Sequence, residues 1–591
     1  MKKAFKFLVL LLPLFFGIAI FIFFDAIYPY HLHYQEQFQL FQFTSAYCLE
    51  VISTPGGFSD YISQFLSQFY FYSWSGALII ALSLIGLQQL LQAVASRFAV
   101  CLTWAPLTYL PSVFYWYLLC DDNYLLNGLV ALILSLSGLI IGLCFHSNKV
   151  RRIYLFIMIP FFYWIAGGVI CLFVAGILLY DWLKKKESWQ TTIIISIISL
   201  LMVIACPFVA KYFWAQYQLY RFWWGGTYVR FTMHQPEMIP YLWTLIVINF
   251  FIFAFLPESK KDKTRLIIFS FNTTVLLFVS VFVIKEGYTV NEWKEELMEC
   301  DYHCRMKQWE EVIKMANKKS PDISMSVTCL NLALHKTGQL PEKMFHYFQN
   351  GTEGLLPTFQ RDFMLPLVSS EVYYYLGFIN TAQRFTFEAM ESLPDYQKSA
   401  RCIKRLVETN LINAQYEVAA KYLDILRHTL FYRAWAEETM IYLNDEARIS
   451  THPEWGVLRQ YRLQNDFLFS EGEKDMMLGI LFQHNPSNRM AYEYLLAYTL
   501  LSRDLKHFWA YYTMDGKKPL YNVIPKSFQE ALTYIWSQSQ YNPSLQPQGV
   551  DNDVVKLLEK YRNIYITQPG ANRILAKEFS NTYWYYYHYN K

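Results

Sequence analysis

The sequence predicts an all-α protein in two parts, a polytopic helical membrane domain followed by a soluble domain of stacked helix pairs. Three observations lead to this prediction. Apolar runs of about 20 residues, the length that crosses a bilayer, recur through the first half of the 591-residue chain. From Tyr288 to Lys591 no stretch is long and apolar enough to cross. In that second half, apolar residues recur with helical and not alternating spacing.

The predicted domain boundary divides residues 1–287 from residues 288–591. The first part should hold about nine spans of the length a bilayer requires. The clearest are Phe5–Phe24, Trp74–Ala95, Tyr124–Phe145 and Leu266–Ile284. Aromatic residues make up 19% of the chain and cluster at span ends, where amphipathic rings favour the membrane–water interface. The net charge of +4, with no basic block, argues against a nucleic-acid partner.

Basic residues predict the orientation of the spans. Lys2, Lys3 and Lys6 precede the first span and keep the N-terminus cytoplasmic, and no small-residue cleavage site follows, so this span is a signal anchor. Basic clusters flank the apolar segment Ile153–Tyr180 on both sides. A hairpin of two short helices, broken near Trp164–Gly168, would keep both clusters inside. The spans are then expected in the inner (cytoplasmic) membrane of a bacterium with the tail outside, which is the periplasm if the host is Gram-negative.

Five of the ten cysteines lie outside the predicted spans. They are Cys48, Cys300, Cys304, Cys329 and Cys402. Cys300 and Cys304 fall on one helix face, with His303 between them. A metal site needs more ligands than these residues supply, and a disulfide between positions four apart is unusual. We therefore interpret the cysteines as unpaired structural residues.

The second half shows repeated helical segments in which small residues lie between large apolar ones at helical spacing. Tyr375-Leu376-Gly377, followed by Ala382 and Ala389, is typical, because small residues let two helices approach closely. This pattern resembles the tetratricopeptide repeat, although no segment carries the whole consensus. The resemblance implies an α-solenoid whose concave face binds a protein partner. The alternative is a helical cap on the membrane domain. The aromatic run Tyr583–Tyr589 predicts docking on protein or at the interface.

The first predicted outer loop, Asp25 to Ser73, combines polar side chains with an amphipathic helix. Its polar residues include Asp25, His33 and Glu36. Further along, one helical face carries only apolar residues, namely Phe58, Tyr61, Ile62, Phe65, Leu66 and Phe69. Such a nearly uncharged amphipathic helix before a span should lie along the membrane surface.

Two further outer loops carry charged or aromatic residues. The second contains Asp121 and Asp122. The third, Lys211 to Gln235, is basic and aromatic and includes Arg221, Trp223, Trp224 and Arg230. Guanidinium groups suit phosphate recognition, and aromatic faces suit sugars or lipid head groups. Each residue alone also fits an ordinary role as a solvated acid or an interface anchor, but together they indicate a site.

This layout resembles the GT-C superfamily of membrane glycosyltransferases, which share acids in the first two outer loops, a juxtamembrane amphipathic helix and often an outer soluble domain. The likeness covers roughly the first 290 residues. Pro55-Gly56-Gly57, Asp60-Tyr61 and Gln64-Phe65-Leu66, with the repeat-like tail, are also similar to a family of uncharacterised bacterial membrane proteins. That second similarity covers most of the chain and implies no activity. The first loop lacks the tight acidic pair of the superfamily.

The superfamily resemblance implies transfer of a sugar from a polyprenyl-phosphate donor in the membrane lipid to an envelope acceptor. Glu36 is the first candidate for the general base and Asp25 the second. Asp121 or Asp122 would orient the acceptor or bind a divalent metal ion. The lipid phosphate and sugar would be bound by Arg221, Arg230, Trp223, Trp224 and His33.

Two other functions stay open. The first is a non-enzymatic scaffold or assembly protein whose spans anchor a periplasmic repeat domain. The other is an ion-coupled transporter, which the scarcity of charges in mid-span disfavours.

Overall fold

The computed structural model is all-helical. It describes residues 2–98, 102–184, 188–213, 218–224, 228–230, 236–256, 262–360, 363–393, 397–463, 469–514, 521–542 and 546–590. Within these ranges there is no β-strand, and a single isolated antiparallel bridge joins Tyr124 to Val229.

The described helices divide between two compact units. The first unit comprises Met1–Glu296, Leu393–Ala400 and Ile425–Ala434, and the second comprises Leu297–Ser392, Arg401–Asp424 and Trp435–Lys591. The helices of the first half are α1 Lys2–Ile22, α2 Pro29–Glu36, α3 Ser45–Ile52, α4 Gly57–Ser67, α5 Ser73–Arg97, α6 Leu110–Leu118, α7 Leu126–Cys144, α8 Asn148–Ala166, α9 Ile170–Lys184, α10 Trp189–Phe213, α11 Leu219–Trp224, α12 Met238–Phe253 and α13 Asp262–Arg305. The boundary between the two units falls within α13.

Five helical segments of the described chain are long and apolar enough to cross a membrane. They are Ser73–Arg97, Leu126–Cys144, Asn148–Lys184, Trp189–Phe213 and Lys263–Thr289. A sixth is possible by length if α1 and α2 count together, although the chain bends by 78° between them. A short π-helix, Phe23–Ile27, occupies this bend. α12 is apolar but shorter.

The segment Asn148–Lys184 folds back on itself. α8 ends at Ala166, Gly167 has a φ of 72°, and α9 begins three residues later. Arg151, near the start of α8, donates from Nε to the Oδ1 atom of Asp181, near the end of α9, at 2.5 Å. Because the two ends touch, α8 and α9 are antiparallel, and the predicted hairpin is confirmed.

The amphipathic helix α4 presents its polar face inward. Ser59, Ser63 and Ser67 are buried, whereas Phe58 and Phe65 are exposed. The small serines suit close packing, and this face lies against α7 and α8. An apolar face turned outward is the arrangement expected of a helix at a lipid surface.

The remaining helices follow α13 along the chain. They are α14 Trp309–Lys318, α15 Ser324–Lys336, α16 Leu340–Lys343, α17 Met364–Leu376, α18 Ile379–Glu391, α19 Ala400–Ile412, α20 Tyr416–Arg427, α21 Arg433–Thr439, α22 Glu446–Thr451, α23 Trp455–Tyr461, α24 Lys474–His484, α25 Arg489–Leu501, α26 Leu505–Tyr512, α27 Lys526–Gln538, α28 Asn552–Thr567, α29 Ala571–Glu578 and α30 Tyr583–Tyr589. Neighbouring helices pack in pairs, among them α14 with α15, α17 with α18 and α24 with α25.

One type of turn recurs between these helices. A residue with a left-handed backbone precedes the next helix by two positions in six turns, at Lys307, Gly338, Gly377, Ala414, Asn444 and Arg503. Successive turns of this type are 31, 39, 37, 30 and 59 residues apart. A left-handed residue just after a helix is a common way to end it and reverse the chain. The turns therefore recur at intervals close to one or two helix pairs.

The aromatic C-terminal helix α30 docks on protein, one of the two predicted alternatives. Tyr583 and Trp584 are buried. The Tyr583 backbone N–H donates to Oε2 of Glu530 at 2.7 Å, and Trp584 Nε1 donates to the Glu530 carbonyl at 2.9 Å. Both residues and Glu530, on α27, belong to the second unit.

Candidate polar site of the first unit

The second and third loops meet through their backbones. The Arg230 N–H donates to the Asn123 carbonyl at 2.7 Å, and the Leu125 N–H donates to the Tyr228 carbonyl at 2.9 Å. These bonds flank the isolated bridge between Tyr124 and Val229. Arg230 is therefore held beside the acidic pair of the second loop.

The first loop reaches the same place through α2 and the residues after it. Gln35 Nε2 donates to the Tyr124 carbonyl at 2.9 Å. The Arg230 guanidinium lies over the Phe38 ring, 4.0 Å from its centroid, and its Nη1 lies 3.3 Å from the Tyr34 hydroxyl. Only 6% of Arg230 is exposed. All three predicted loops thus contribute to one polar cluster.

Two residues of α13 complete the cluster. Lys294 Nζ lies 2.5 Å from Oδ1 of Asp122. The Glu295 carboxylate accepts hydrogen bonds from the backbone N–H groups of Tyr30 and His31, at 2.7 and 3.0 Å. A carboxylate in this position satisfies unpaired donors of the first turn of α2. Sequence reasoning missed Lys294 and Glu295 because they lie in a charged stretch after the last span, which has the composition of an ordinary solvated helix.

The two adjacent aspartates differ electrostatically. Burial raises the pKa of Asp121, although the Asn123 N–H donates to its Oδ1 atom at 2.8 Å. Burial also acts on Asp122, but the charges of Lys294 and Arg230 outweigh it and lower the pKa of that carboxyl. Asp122 is consequently an ionised partner of Lys294, while Asp121 is the better proton acceptor of the two.

The other predicted acids contact different groups. Asp25 is half-buried and accepts a hydrogen bond from Ser73 Oγ at 2.8 Å, at the start of α5. Glu36 is buried, and the Tyr432 hydroxyl donates to its Oε1 atom at 2.9 Å. Tyr432 comes from the late segment Ile425–Ala434, which belongs to the first unit. His33 is also buried on α2, with its ring 6.5 Å from that of Tyr30.

The aromatic third loop borders an apolar cavity. Trp223, at the end of α11, lines a cavity of about 280 Å³. The other lining residues are Tyr163, Gly168, Ile170, Cys171, Val203, Pro207 and Trp243. The Tyr163 hydroxyl donates to the Phe222 carbonyl at 3.1 Å and so fixes α11 against α8. Arg221 is half-buried on α11, and the side chain of Trp224 lies outside the described part of the chain.

Among the described residues, no group of three His, Cys, Asp or Glu side chains is arranged to hold a metal ion. Asp121 and Asp122 therefore supply two carboxylates at most. One of them is already paired with Lys294. A divalent ion at this place would depend on oxygen ligands from a substrate or from water.

The first half has the apolar helices of a polytopic membrane protein, and its outer-loop residues form a buried polar cluster. The chain matches a family of unknown function, DUF6057, over residues 3–590, and it belongs to that family. Comparison with curated proteins and with solved structures gives no match.

Proposed function

We propose that the protein is a membrane glycosyltransferase of GT-C type that moves a sugar from a polyprenyl-phosphate donor to an envelope acceptor. One observation carries the proposal, namely that side chains from three separate loops meet α13 in one largely buried cluster, with charged residues from the second loop, the third loop and α13. Burying charged groups is costly unless they are paired. Buried groups whose pKa values are shifted by charged neighbours are typical of functional sites.

The chemistry requires a base and a cation. Asp121 is the carboxylate best placed to take the proton of the acceptor hydroxyl, whose oxygen then bonds to the anomeric carbon as the bond to the phosphate oxygen breaks. Arg230 and Lys294 would stabilise the departing polyprenyl phosphate, which keeps its negative charge. Glu36 and Asp25 are the bases expected from the sequence, and the Tyr432 hydroxyl already contacts Glu36. Arg221 is a second candidate for the phosphate.

The apolar cavity beside Trp223 suits the hydrocarbon part of the donor. Its lining is almost entirely apolar, apart from groups such as the Tyr163 hydroxyl. Pockets of this kind bury apolar ligands, while a few polar groups at one end set orientation. We propose that the prenyl chain lies there, with Trp224 and His33 near the sugar, and that a divalent metal ion bound by Asp121 or Asp122 is an optional addition.

We propose about nine spans in the inner membrane, each of the length a bilayer requires or slightly shorter. The helical stretches that supply them are α1, residues 102–118, α5, α7, α8, α9, α10, α12 and α13. An odd number of spans and a cytoplasmic N-terminus place the tail in the periplasm. A phosphatase reporter fused after Lys591 should be active. An inactive phosphatase together with an active cytoplasmic reporter would overturn this orientation and the outer-face site.

The second unit would be a repeat domain that selects the acceptor. The recurrence of left-handed turns at intervals of 30 to 39 residues, with one longer interval, supports a tetratricopeptide-like arrangement of helix pairs. Solenoids of this kind bind partners on extended surfaces. The acceptor or a protein partner would bind on that surface.

Envelope glycans report directly on the proposed activity. A strain without the protein should lack a glycan or glycoconjugate by mass spectrometry, and the wild-type gene should restore it. Asp121→Asn should not restore it, whereas Lys149→Ala, a change at an exposed residue of α8, should do so.

A scaffold function is the second candidate. It is favoured by the contacts that Glu36 and Asp122 make with Tyr432 and Lys294, since these are the contacts of structural residues. If Asp121→Asn and Glu36→Gln both restore the glycan while deletion of the second unit does not, the scaffold function replaces the transferase.

A further inference from the structure

Three cysteines of the second unit lie together, although two helices carry them. Cys300 and Cys304 occupy successive turns near the end of α13, and Cys329 lies in the middle of α15. All three are buried, with 5%, 3% and 0% of their surface exposed. The Cys304 Sγ atom lies 3.7 Å from the Cys329 carbonyl oxygen. The Cys329 thiol also interacts with both α13 thiols, because it is the first cause of the raised pKa of Cys300 and of Cys304.

Sequence spacing alone did not indicate this arrangement. It showed Cys300 and Cys304 on one face, a pair whose disulfide would have to bridge one turn of a helix. The structure adds a thiol from a separate helix that faces both. The sequence thus offered one strained disulfide within a helix, whereas the structure offers two possible disulfides between helices.

We propose that Cys329 forms a disulfide with Cys304 or with Cys300, and that the third thiol stays reduced beside it. The two reacting thiols lose two protons and two electrons as the S–S bond forms. The oxidant is the disulfide of a thiol oxidoreductase, which is reduced to its dithiol. The remaining thiolate can attack the bond and exchange one pair for the other without a net change in oxidation state.

Two physical features favour this reaction at Cys329. Hydrogen bonds from Cys300 and then from Cys304 lower the pKa of Cys329 to about 6, although burial opposes them, and the thiolate is the form that reacts. The bond would also join the last turns of α13 to α15. A disulfide between such helices restricts the unfolded chain and stabilises the unit.

The inference requires an oxidising compartment, which is the orientation proposed above. The phosphatase reporter measures that orientation independently. An active reporter combined with a reduced Cys329 would contradict the disulfide alone and leave the orientation intact.

The test is to map the thiols of the full-length protein, blocked with N-ethylmaleimide in intact cells before the membranes are dissolved. After denaturation without reductant, eight of the ten cysteines should carry the maleimide label, because two are held in the disulfide. After reduction, all ten should carry it. Peptide mass spectrometry should find Cys329 linked to Cys304 or Cys300. Equal labelling of Cys329 with and without reductant would overturn the proposal.

Single substitutions give matched controls. Cys304→Ser should leave a Cys300–Cys329 disulfide, and Cys300→Ser should leave Cys304–Cys329. Cys329→Ser should abolish both. Cys402→Ser, at another buried cysteine of the second unit, should not change the pairing. If Cys329→Ser fails to fold, mapping the wild-type protein still decides the question.

Discussion

Asp122 and Lys294, which are 172 positions apart, form an ion pair of 2.5 Å. The pair holds α13 against the loop between α6 and α7 and keeps Asp122 ionised. Asp121 lies next to it and accepts a hydrogen bond from the Asn123 N–H on Oδ1, and the charges of Lys294 and Arg230 act on it without outweighing the effect of burial. The neighbouring acids therefore differ in their electrostatics, and in the proposed transferase Asp122 would be an ion-pair partner and Asp121 the proton acceptor.

Asp121→Asn should reduce transfer by about 10²- to 10⁴-fold, the usual contribution of a general base. Asparagine keeps the shape and the Asn123 contact but cannot take a proton. Burial raises the pKa of Asp121 above the ordinary aspartate value of about 3.9. As the pH is lowered, the activity of the wild-type protein should therefore begin to fall before the pH reaches that value. Transfer assays in membrane vesicles across pH measure both effects. Asp122→Asn is the matched control and should mainly lower stability, so an equal loss of activity without loss of stability would contradict these roles.

Arg230→Lys should lower activity about tenfold, because lysine loses the stacking on Phe38, an interaction worth about 1–2 kcal/mol when desolvated. The fork also becomes a point charge, which binds phosphate less specifically. Arg221→Lys, on α11, is the comparison and should also impair activity if both residues bind the lipid phosphate. Full tolerance of both changes would make the third loop an interface anchor only.

Glu36→Gln should distinguish a base from a structural contact. Glutamine still accepts the hydrogen bond of Tyr432, so a structural contact survives while a proton acceptor is lost. Tyr432→Phe does the reverse, because it removes the contact and keeps the carboxylate. If Glu36 is the base, Glu36→Gln abolishes the envelope glycan and Tyr432→Phe does not. Restoration by Glu36→Gln would leave Asp121 as the base.

The sequence predicts those features that depend on local composition. The hairpin at Gly167 follows from basic residues on both sides of one apolar segment, and the surface position of α4 follows from its single apolar face. The role of Lys294 and the proximity of Cys329 to Cys304 could not be predicted. Both depend on how separate helices pack. The local sequence around Lys294 is that of an ordinary solvated lysine, and the local sequence around Cys329 is that of a small buried side chain.

A buried ion pair between Arg151 and Asp181 joins the two ends of the hairpin. Arg151 is fully buried, and its guanidinium also donates to the Phe145 carbonyl at 2.7 Å. Arg151→Ala should destabilise the protein by about 3–5 kcal/mol, because the buried Asp181 carboxylate loses its guanidinium partner. Lys149→Ala, at an exposed neighbour, should change stability by less than about 0.5 kcal/mol. Denaturation of purified protein in detergent measures both, and a small effect of Arg151→Ala would show that the hairpin does not depend on the pair.

The docking of α30 should depend on pH through Glu530. Burial raises the pKa of Glu530 to about 7, although the Tyr583 N–H and Lys526 oppose the shift. The folded chain then keeps a proton that the unfolded chain releases near pH 4.5, so stability falls as pH rises from about 4.5 to 7. The loss amounts to about 3 kcal/mol over that window.

Glu530→Gln should remove this dependence, because glutamine still accepts the Tyr583 N–H but carries no charge. Hydrogen exchange of the α30 amides at pH 5 and pH 8, corrected for intrinsic rates, is the measurement. The wild-type protein should lose protection at pH 8, and the Gln variant should keep it. Glu559→Gln, at an exposed position of α28, is the control and should behave as wild type. The same loss of protection in the Glu530 variant would show that another group controls how α30 docks.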